Sequence, residues 1–391
     1  MNTDRGAPAP LPLAGIQVIE LCQNLAGPYA AEILASLGAD VLKIERPEGG
    51  DDARSWGPPF VEGNAAAFHA LNHGKRSITL DLKDPRAQAW LRQRLAGTDV
   101  LVQNLRAGVL DEIGLDAASL TAAHPRLVYC SLGAYGHVGP MAAKPGYEAM
   151  VQAFSGIWSA NGEEGRPPAR VGMPVLDLGS GVWAALGCIA ALHRRHATGR
   201  GGVVDTSLLE TALGWLGVHL AGFNATGRQA PRHRTGSPML VVFEGFETAD
   251  SEIVVGAAND RLFAKLAVEL GHPEWAKDPR YADNAGRVQH KAELLGRMQS
   301  IFRSATTQTW LDRLEAAGVP CAPVHDFAQM KQTLQVQAIG MFQPLPGVDL
   351  SVVGLPLSFD GARPPIRSRA PTLGEHNTLF GLPVQAPPDA T

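Results

Sequence analysis

The stretches GIQVIEL (15–21), PYAAEILASLGA (28–39) and DVLKIE (40–45) follow one another as a β-branched run, an apolar helical pattern and a second β-branched run. Two strands joined through a helix form a parallel pair, because a parallel crossover needs a dozen or more residues and is usually helical. The alternation continues through RSITLDL (76–82), PRAQAWLRQRLAGT (85–98), DVLVQN (99–104) and RLVYCSL (126–132). A mostly parallel sheet covered on both faces by helices is therefore expected, the signature of an α/β fold. Pro28 falls where a first-turn proline is tolerated and Gly38 where a helix stops, so the first helix is punctuated at both ends.

Beyond this layer lies a glycine- and proline-rich stretch, then the apolar run VWAALGCIAALHRRHATG (182–199) and a short strand VVDTSL (203–208). A polar, proline-bearing segment follows, and a second pattern of strands and helices opens with FEGFETADSEIVVGAA (243–258). The organisation expected is a large domain over 1–222, a linker over 223–238, a smaller α/β domain over 239–330 and a C-terminal segment, 331–391, returning to the large domain.

The chain has 391 residues with 34 basic and 38 acidic side chains, a net charge of -4, so no overall field draws it to nucleic acid or to an anionic membrane. Its longest strongly apolar run, Val182 to Leu192, is too short to span a bilayer, and no charged-then-apolar leader opens the chain. Four cysteines without a C-x-x-C pair suggest neither a zinc site nor a disulfide framework, which fits a reducing cytoplasm. The 43 glycines exceed the usual share of about 7 % and suit an enzyme with many close backbone approaches.

Gly179-Ser180-Gly181-Val182-Trp183-Ala184 matches the dinucleotide fingerprint, with Asp205 after the next strand-like run. A nicotinamide oxidoreductase is one reading. Against it, Pro174 interrupts the strand that should feed such a loop, and several βα units already precede it. Asp177 stands just before the glycine pair. It reads either as a helix cap or as a nucleophilic carboxylate with backbone donors nearby. Glu148, in PGYEAMVQAFSG, lies off an apolar stripe of Tyr147, Met150, Val151 and Phe154, and is a solvated acid unless a second acid is close. His193 and His196 fit a cationic helix end better than a metal site. Arg46 and Arg106 follow strands and are expected on one rim of the sheet, with Lys75 and Arg76 beside them if their loop folds back, a pattern that suits a phosphorylated ligand.

Taken together, LAGIQVIEL, the Ala26-Gly27-Pro28 turn, LGADVLKIERPEGGD, NHGKRSITLDLK, DVLVQNLRAGVLDEIGL, GYEAMVQAFSG, the Asp177-x-x-x-Gly181 segment, RRHATGRGGVVDTSLLE, AAGVPCAPV and APTLGEH resemble the family III CoA-transferases over nearly the whole chain. The resemblance implies a Rossmann-like large domain without nicotinamide, a smaller domain and an interlocked homodimer. It implies no permanent cofactor and no metal, with coenzyme A and acyl-CoA as substrates. It makes Asp177 the nucleophile and Glu148 its support, and sets Leu25, Ala26, Arg46, Lys75, Asn104, Leu105 and Arg106 around CoA. Gly179 and Gly181 fall in the substrate region, and Arg170 or His137 is expected to hold a second carboxylate of an acceptor such as succinate or mesaconate. Glu112 stands where formyl-CoA transferase has an arginine, and only Thr235-Gly236-Ser237-Pro238 stands where it has four glycines. The related racemases carry Gly-His-Asp where this chain has Gly146-Tyr147-Glu148, which favours transfer over racemisation.

Overall fold

The computed structural model describes residues 10–384. The chain divides into two compact units, one built from the residues up to Ser155 with Val171–Leu216 and the chain from Gln337 onward, the other from Gly156–Arg170 and Gly217–Val336. The first boundary thus falls at Leu216 rather than at 222, and residues 156–170 join the second unit.

The first unit is a parallel sheet. Its strands are β1 (Gln17–Leu21), β2 (Asp40–Glu45), β5 (Arg76–Thr79), β6 (Val100–Gln103), β7 (Val128–Gly133) and β8 (Gly202–Ser207), with a short hairpin of β3 (Phe60–Val61) and β4 (Asn64–Ala65) inserted before β5. The order is β5-β2-β1-β6-β7-β8, all pairs parallel. The chain winds outward from β1 in one direction and from β6 in the other, so the topological switch point lies between β1 and β6. Helices α1 (Ala26–Ser36), α2 (Ala66–Asn72), α3 (Pro85–Leu95), α4 (Ala117–Ala123), α5 (Glu148–Ser155), α7 (Val175–Thr198) and α8 (Leu208–Trp215) belong to this unit, whereas α6 (Ile157–Ala160) belongs to the other. On one face Ile19, Leu42, Ile78 and Leu101 meet Leu91 and Leu95 of α3 and Leu120 of α4, closing a continuous apolar core.

The strands are not wholly apolar. Glu20 on β1 is the register partner of Lys43 on β2, which in turn faces Ser77 on β5. Glu20, Lys43 and Ser77 are fully buried. Such charges survive burial only when paired and hydrogen-bonded. Lys43 Nζ meets Glu20 and Asp51, each at 2.8 Å, and donates to the Cys22 carbonyl at 3.0 Å.

Helix α7 has 24 residues and, by length and apolar composition alone, is long enough to cross a membrane, longer than the Val182–Leu192 run suggests. Here it packs on α1, α8 and the sheet. Its C-terminal end is fixed by Arg195, paired with Asp99 at 2.8 Å, and closes on Gly199 in the left-handed conformation that glycine adopts without cost.

In the second unit, α9 (Gly217–Thr226) runs into the stretch read as linker. An antiparallel sheet of β9 (Phe243–Glu247), β10 (Glu252–Gly256) and β11 (Cys321–Pro323) then packs against a core that includes Phe246, Phe263, Phe302 and Trp310. The Thr235–Pro238 segment is pinned: Thr235 bonds Glu244, and Lys291 donates to the Ser237 carbonyl at 3.0 Å. Back in the first unit, the C-terminal segment seals β5, where Asn377 accepts from Thr79 N–H and donates to its hydroxyl, both at 2.9 Å.

Candidate active site

In an open α/β sheet, ligands bind beyond the carboxyl ends of the strands at the switch point. Here a cavity of about 450 Å³ occupies that position, lined by Gln23 and Asn24 after β1, Gln103 to Asp111 after β6, Ser131 to Ala134 at the end of β7, and Lys144 to Tyr147. The two switch-point loops are tied together. Asn104 Oδ1 accepts from Gln23 N–H at 2.9 Å, and its Nδ2 donates to the Gln23 carbonyl at 2.8 Å. Asn24 sits at φ 69°, a left-handed conformation that asparagine tolerates, and its N–H donates to Asp51 Oδ1 at 2.9 Å.

Asn104, Leu105 and Arg106 line this cavity, Arg106 with an exposed side chain. His137 lines it too, with Nε2 3.2 Å from the Thr206 carbonyl and Nδ1 3.8 Å from Asp205. Leu25 caps α1 and Ala26 opens it, one residue beyond the lining loop. Arg46 is not itself part of the lining but pairs with Asp52, which is. Glu112 is exposed on the turn that follows. Arg170 lies in the second unit, exposed.

Lys75 stands apart from the expected phosphate contact. Its ammonium is fully buried, 2.8 Å from Glu20, 2.8 Å from the Pro28 carbonyl and 2.9 Å from Asn72 Oδ1. Burial pulls its pKa down, against the pull of Glu20. With its ammonium turned inward on Glu20, Pro28 and Asn72, Lys75 orders the first turn of α1.

The cavity wall runs through Tyr147 directly into Glu148, the first residue of α5. Glu148 is buried, and its carboxylate reaches the start of α7. Oε1 accepts from Leu176 N–H at 3.2 Å and Oε2 from Asp177 N–H at 2.7 Å. Pro174, at the N-cap of α7, supplies no side-chain cap, so Glu148 caps the helix from 28 and 29 residues upstream. Asp177 is then the third helical residue, half-buried, rather than a cap in a loop before the helix. The two acids singled out in the sequence are thus brought together, and the sequence carried no local sign of it.

The glycine pair belongs to α7 as well, which removes the phosphate-loop reading. A Cβ at Gly179 would lie 2.2 Å from the Trp215 ring, and one at Gly181 would lie 2.8 Å from the Ala26 carbonyl. Both glycines let helices approach: α7 to α8 at Gly179, and α7 to the first turn of α1 at Gly181. Asp177 stands one turn before Gly181 on the same face of α7, about 6 Å along the axis. Gln152, Lys144 and Asn24 were not singled out in the sequence. Only a buried polar residue at helical spacing from Glu148 could have pointed to Gln152.

A parallel sheet with a switch-point cavity, flanked by a buried acid that caps a helix bearing a second acid, is the arrangement of a ligand-binding α/β protein. The family model for CoA-transferase family III matches residues 13–377, and the chain belongs to that family: it is a CoA-transferase. It is similar to the succinate–glutarate CoA-transferase of Agrobacterium fabrum, 37% identical over 374 residues that cover 93% of this chain and 94% of that one. It is also similar to the acetyl-CoA:oxalate CoA-transferase of Acetobacter aceti, 36% identical over 378 residues and 96% of each chain. A crystal structure of a CAIB/BAIF family protein from Brucella suis superposes with a TM-score of 0.85 at 36% identity, covering 95% of this chain and 99% of that one.

Proposed function

We propose that this enzyme moves CoA from a donor thioester to a small dicarboxylate, with Asp177 as the nucleophile. The Asp177 carboxylate attacks the donor carbonyl, CoA thiolate leaves, and a mixed anhydride forms. The thiolate returns to the aspartyl carbonyl, releasing the donor acid and leaving an aspartyl-CoA thioester. The acceptor carboxylate then displaces CoA to form a second anhydride, and thiolate attack on the acceptor carbonyl gives product and frees Asp177. Each step exchanges one acyl bond for another, which divides a difficult displacement into easier ones. Glu148 supports the nucleophile by fixing its backbone. CoA lies in the switch-point cavity against Asn104, Leu105 and Arg106, with Leu25 and Ala26 offering backbone and Arg46 at the rim.

The observation that carries this reading is the Glu148 carboxylate 2.7 Å from the Asp177 amide, at the end of a wall that starts in the cavity. The dicarboxylate is supported by the acids named for the Agrobacterium relative and by His137 beside the cavity. The homodimer is supported by apolar side chains left exposed on three mutually packed helices: Met150 and Phe154 of α5, Trp183 and Leu186 of α7, Leu213 and Trp215 of α8. Succinyl-CoA assayed with a panel of mono- and dicarboxylate acceptors tests the reading, and light scattering after gel filtration tests the dimer. Transfer that favours monocarboxylates, or an Asp177→Asn variant with full activity, contradicts it.

A further inference from the structure

We infer that Gln152 is a positioning residue for acyl transfer, one that sets the Glu148 carboxylate on the first turn of α7 and through it the placement of Asp177; this rests on the reading of Asp177 as nucleophile. Gln152 is one turn after Glu148 on α5 and fully buried. Its side-chain carbonyl accepts from Val171 N–H at 3.0 Å. That bond decides which end of the amide is which, since a backbone N–H can meet only the oxygen. The amide nitrogen therefore faces Glu148, and Nε2 donates to Glu148 Oε1 at 2.5 Å and approaches the Val171 carbonyl at 3.3 Å.

One side chain thus clamps two things at once. It fixes the rotation of the Glu148 carboxyl, and it holds both backbone polar groups of Val171, four residues before α7 begins at Val175. The carboxylate it fixes is the one that caps Leu176 and Asp177. A carboxylate accepting only from the two amides would be free to twist about its terminal bond, and the first turn of α7 would fray with it. The nucleophile stands on that turn, and a misplacement near 1 Å costs about a hundredfold in rate.

The test is Gln152→Glu, assayed for CoA transfer across pH 5–9 beside the wild type. Protonated, the new carboxyl donates to Glu148 while its other oxygen accepts from Val171 N–H, keeping the bond to Glu148 and one of the two to Val171. Ionised, it sets a second negative charge against Glu148, and two carboxylates so close share one proton. We expect kcat near the wild-type value at the acidic end and about tenfold or more below it at the alkaline end, with KM for acyl-CoA changed by less than about threefold. The same sample at two pH values is its own control for folding. A wild-type pH profile in Gln152→Glu overturns the proposal, because a residue that only packs has no reason to respond to pH. Hydrogen exchange separates this from a failure of the covalent reading: in Gln152→Met the Leu176 and Asp177 amides exchange faster whatever the donor chemistry proves to be. Unchanged protection at those two amides also overturns it.

Discussion

Gly181→Ala probes the helix contact beside the nucleophile. The added methyl would lie 2.8 Å from the Ala26 carbonyl and 2.9 Å from Tyr29 Cδ1. A carbon–oxygen contact relaxes near 3.3 Å, so α7 and α1 must part by roughly half an ångström, since the obstructing atom is backbone and cannot rotate away. Overpacking of this kind costs about 1–3 kcal/mol, while alanine in a helix interior recovers about 1 kcal/mol relative to glycine. Net destabilisation is therefore small, about 0–2 kcal/mol. Activity responds more, because the displaced contact is one turn from Asp177: we expect kcat/KM to fall about tenfold. Gly179→Ala is the control. There the new methyl meets the ring of Trp215, which is 46% exposed and able to swing outward, and Thr211 Cγ2 at 2.9 Å, which is buried and is not. Stability should fall by a similar amount, but the strain falls on α8 rather than α1 and the rate should change less. Urea unfolding and steady-state transfer from succinyl-CoA report the two quantities. Equal loss of activity in both variants, or none in Gly181→Ala, would refute the coupling of the α7–α1 contact to Asp177.

Lys75→Ala and Arg106→Ala should fail differently. Removing Lys75 leaves Glu20 buried with one partner fewer and costs about 3–5 kcal/mol of stability, seen by urea unfolding, whereas removing Arg106 leaves the fold intact and raises KM for acyl-CoA about tenfold. Glu32→Gln should stabilise the protein in a pH-dependent way. Burial lifts the Glu32 carboxyl from 4.5 to about 7, with Ser36 and Lys75 pulling the other way. The folded state then keeps a proton that the unfolded chain has lost, so stability falls as pH rises through that window and levels off above it. The gain from glutamine should be near zero at pH 4.5 and grow by about 1.4 kcal/mol per pH unit toward roughly 3 kcal/mol at pH 7, and a gain independent of pH contradicts this.

The parallel sheet was legible because its strands and helices carry their periodicity locally: GIQVIEL, DVLKIE, RSITLDL, DVLVQN and RLVYCSL contain β1, β2, β5, β6 and β7. The start of α7 was not. Pro174 and two glycines punctuate like a loop, yet proline is tolerated at a helix start, and the glycines are there for Trp215 and the Ala26 carbonyl, neither of which is near in sequence. Lys75 was misread for a related reason. Lys75 precedes β5 and joins the rim only if its loop folds back, but Glu20 on another strand draws it inward. A signal for that existed: Glu20 and Lys43 stand among the apolar residues inside β1 and β2, and a charge in a doubly covered sheet demands a buried partner. The bond between Glu148 and α7 left no such trace, because it joins a side chain to backbone amides 28 and 29 residues away, and any residue type but proline would present the same amides.

The covalent role of Asp177 is tested most directly by incubating the enzyme with succinyl-CoA, trapping with hydroxylamine and mapping the modified peptide by mass spectrometry. An activated carboxyl is converted to a hydroxamate, so a transferase of this kind shows that mass change at Asp177, and none in Asp177→Asn. A protein that binds CoA and transfers it to acceptor acids without a hydroxamate at Asp177, or with one at Glu148 instead, would contradict it.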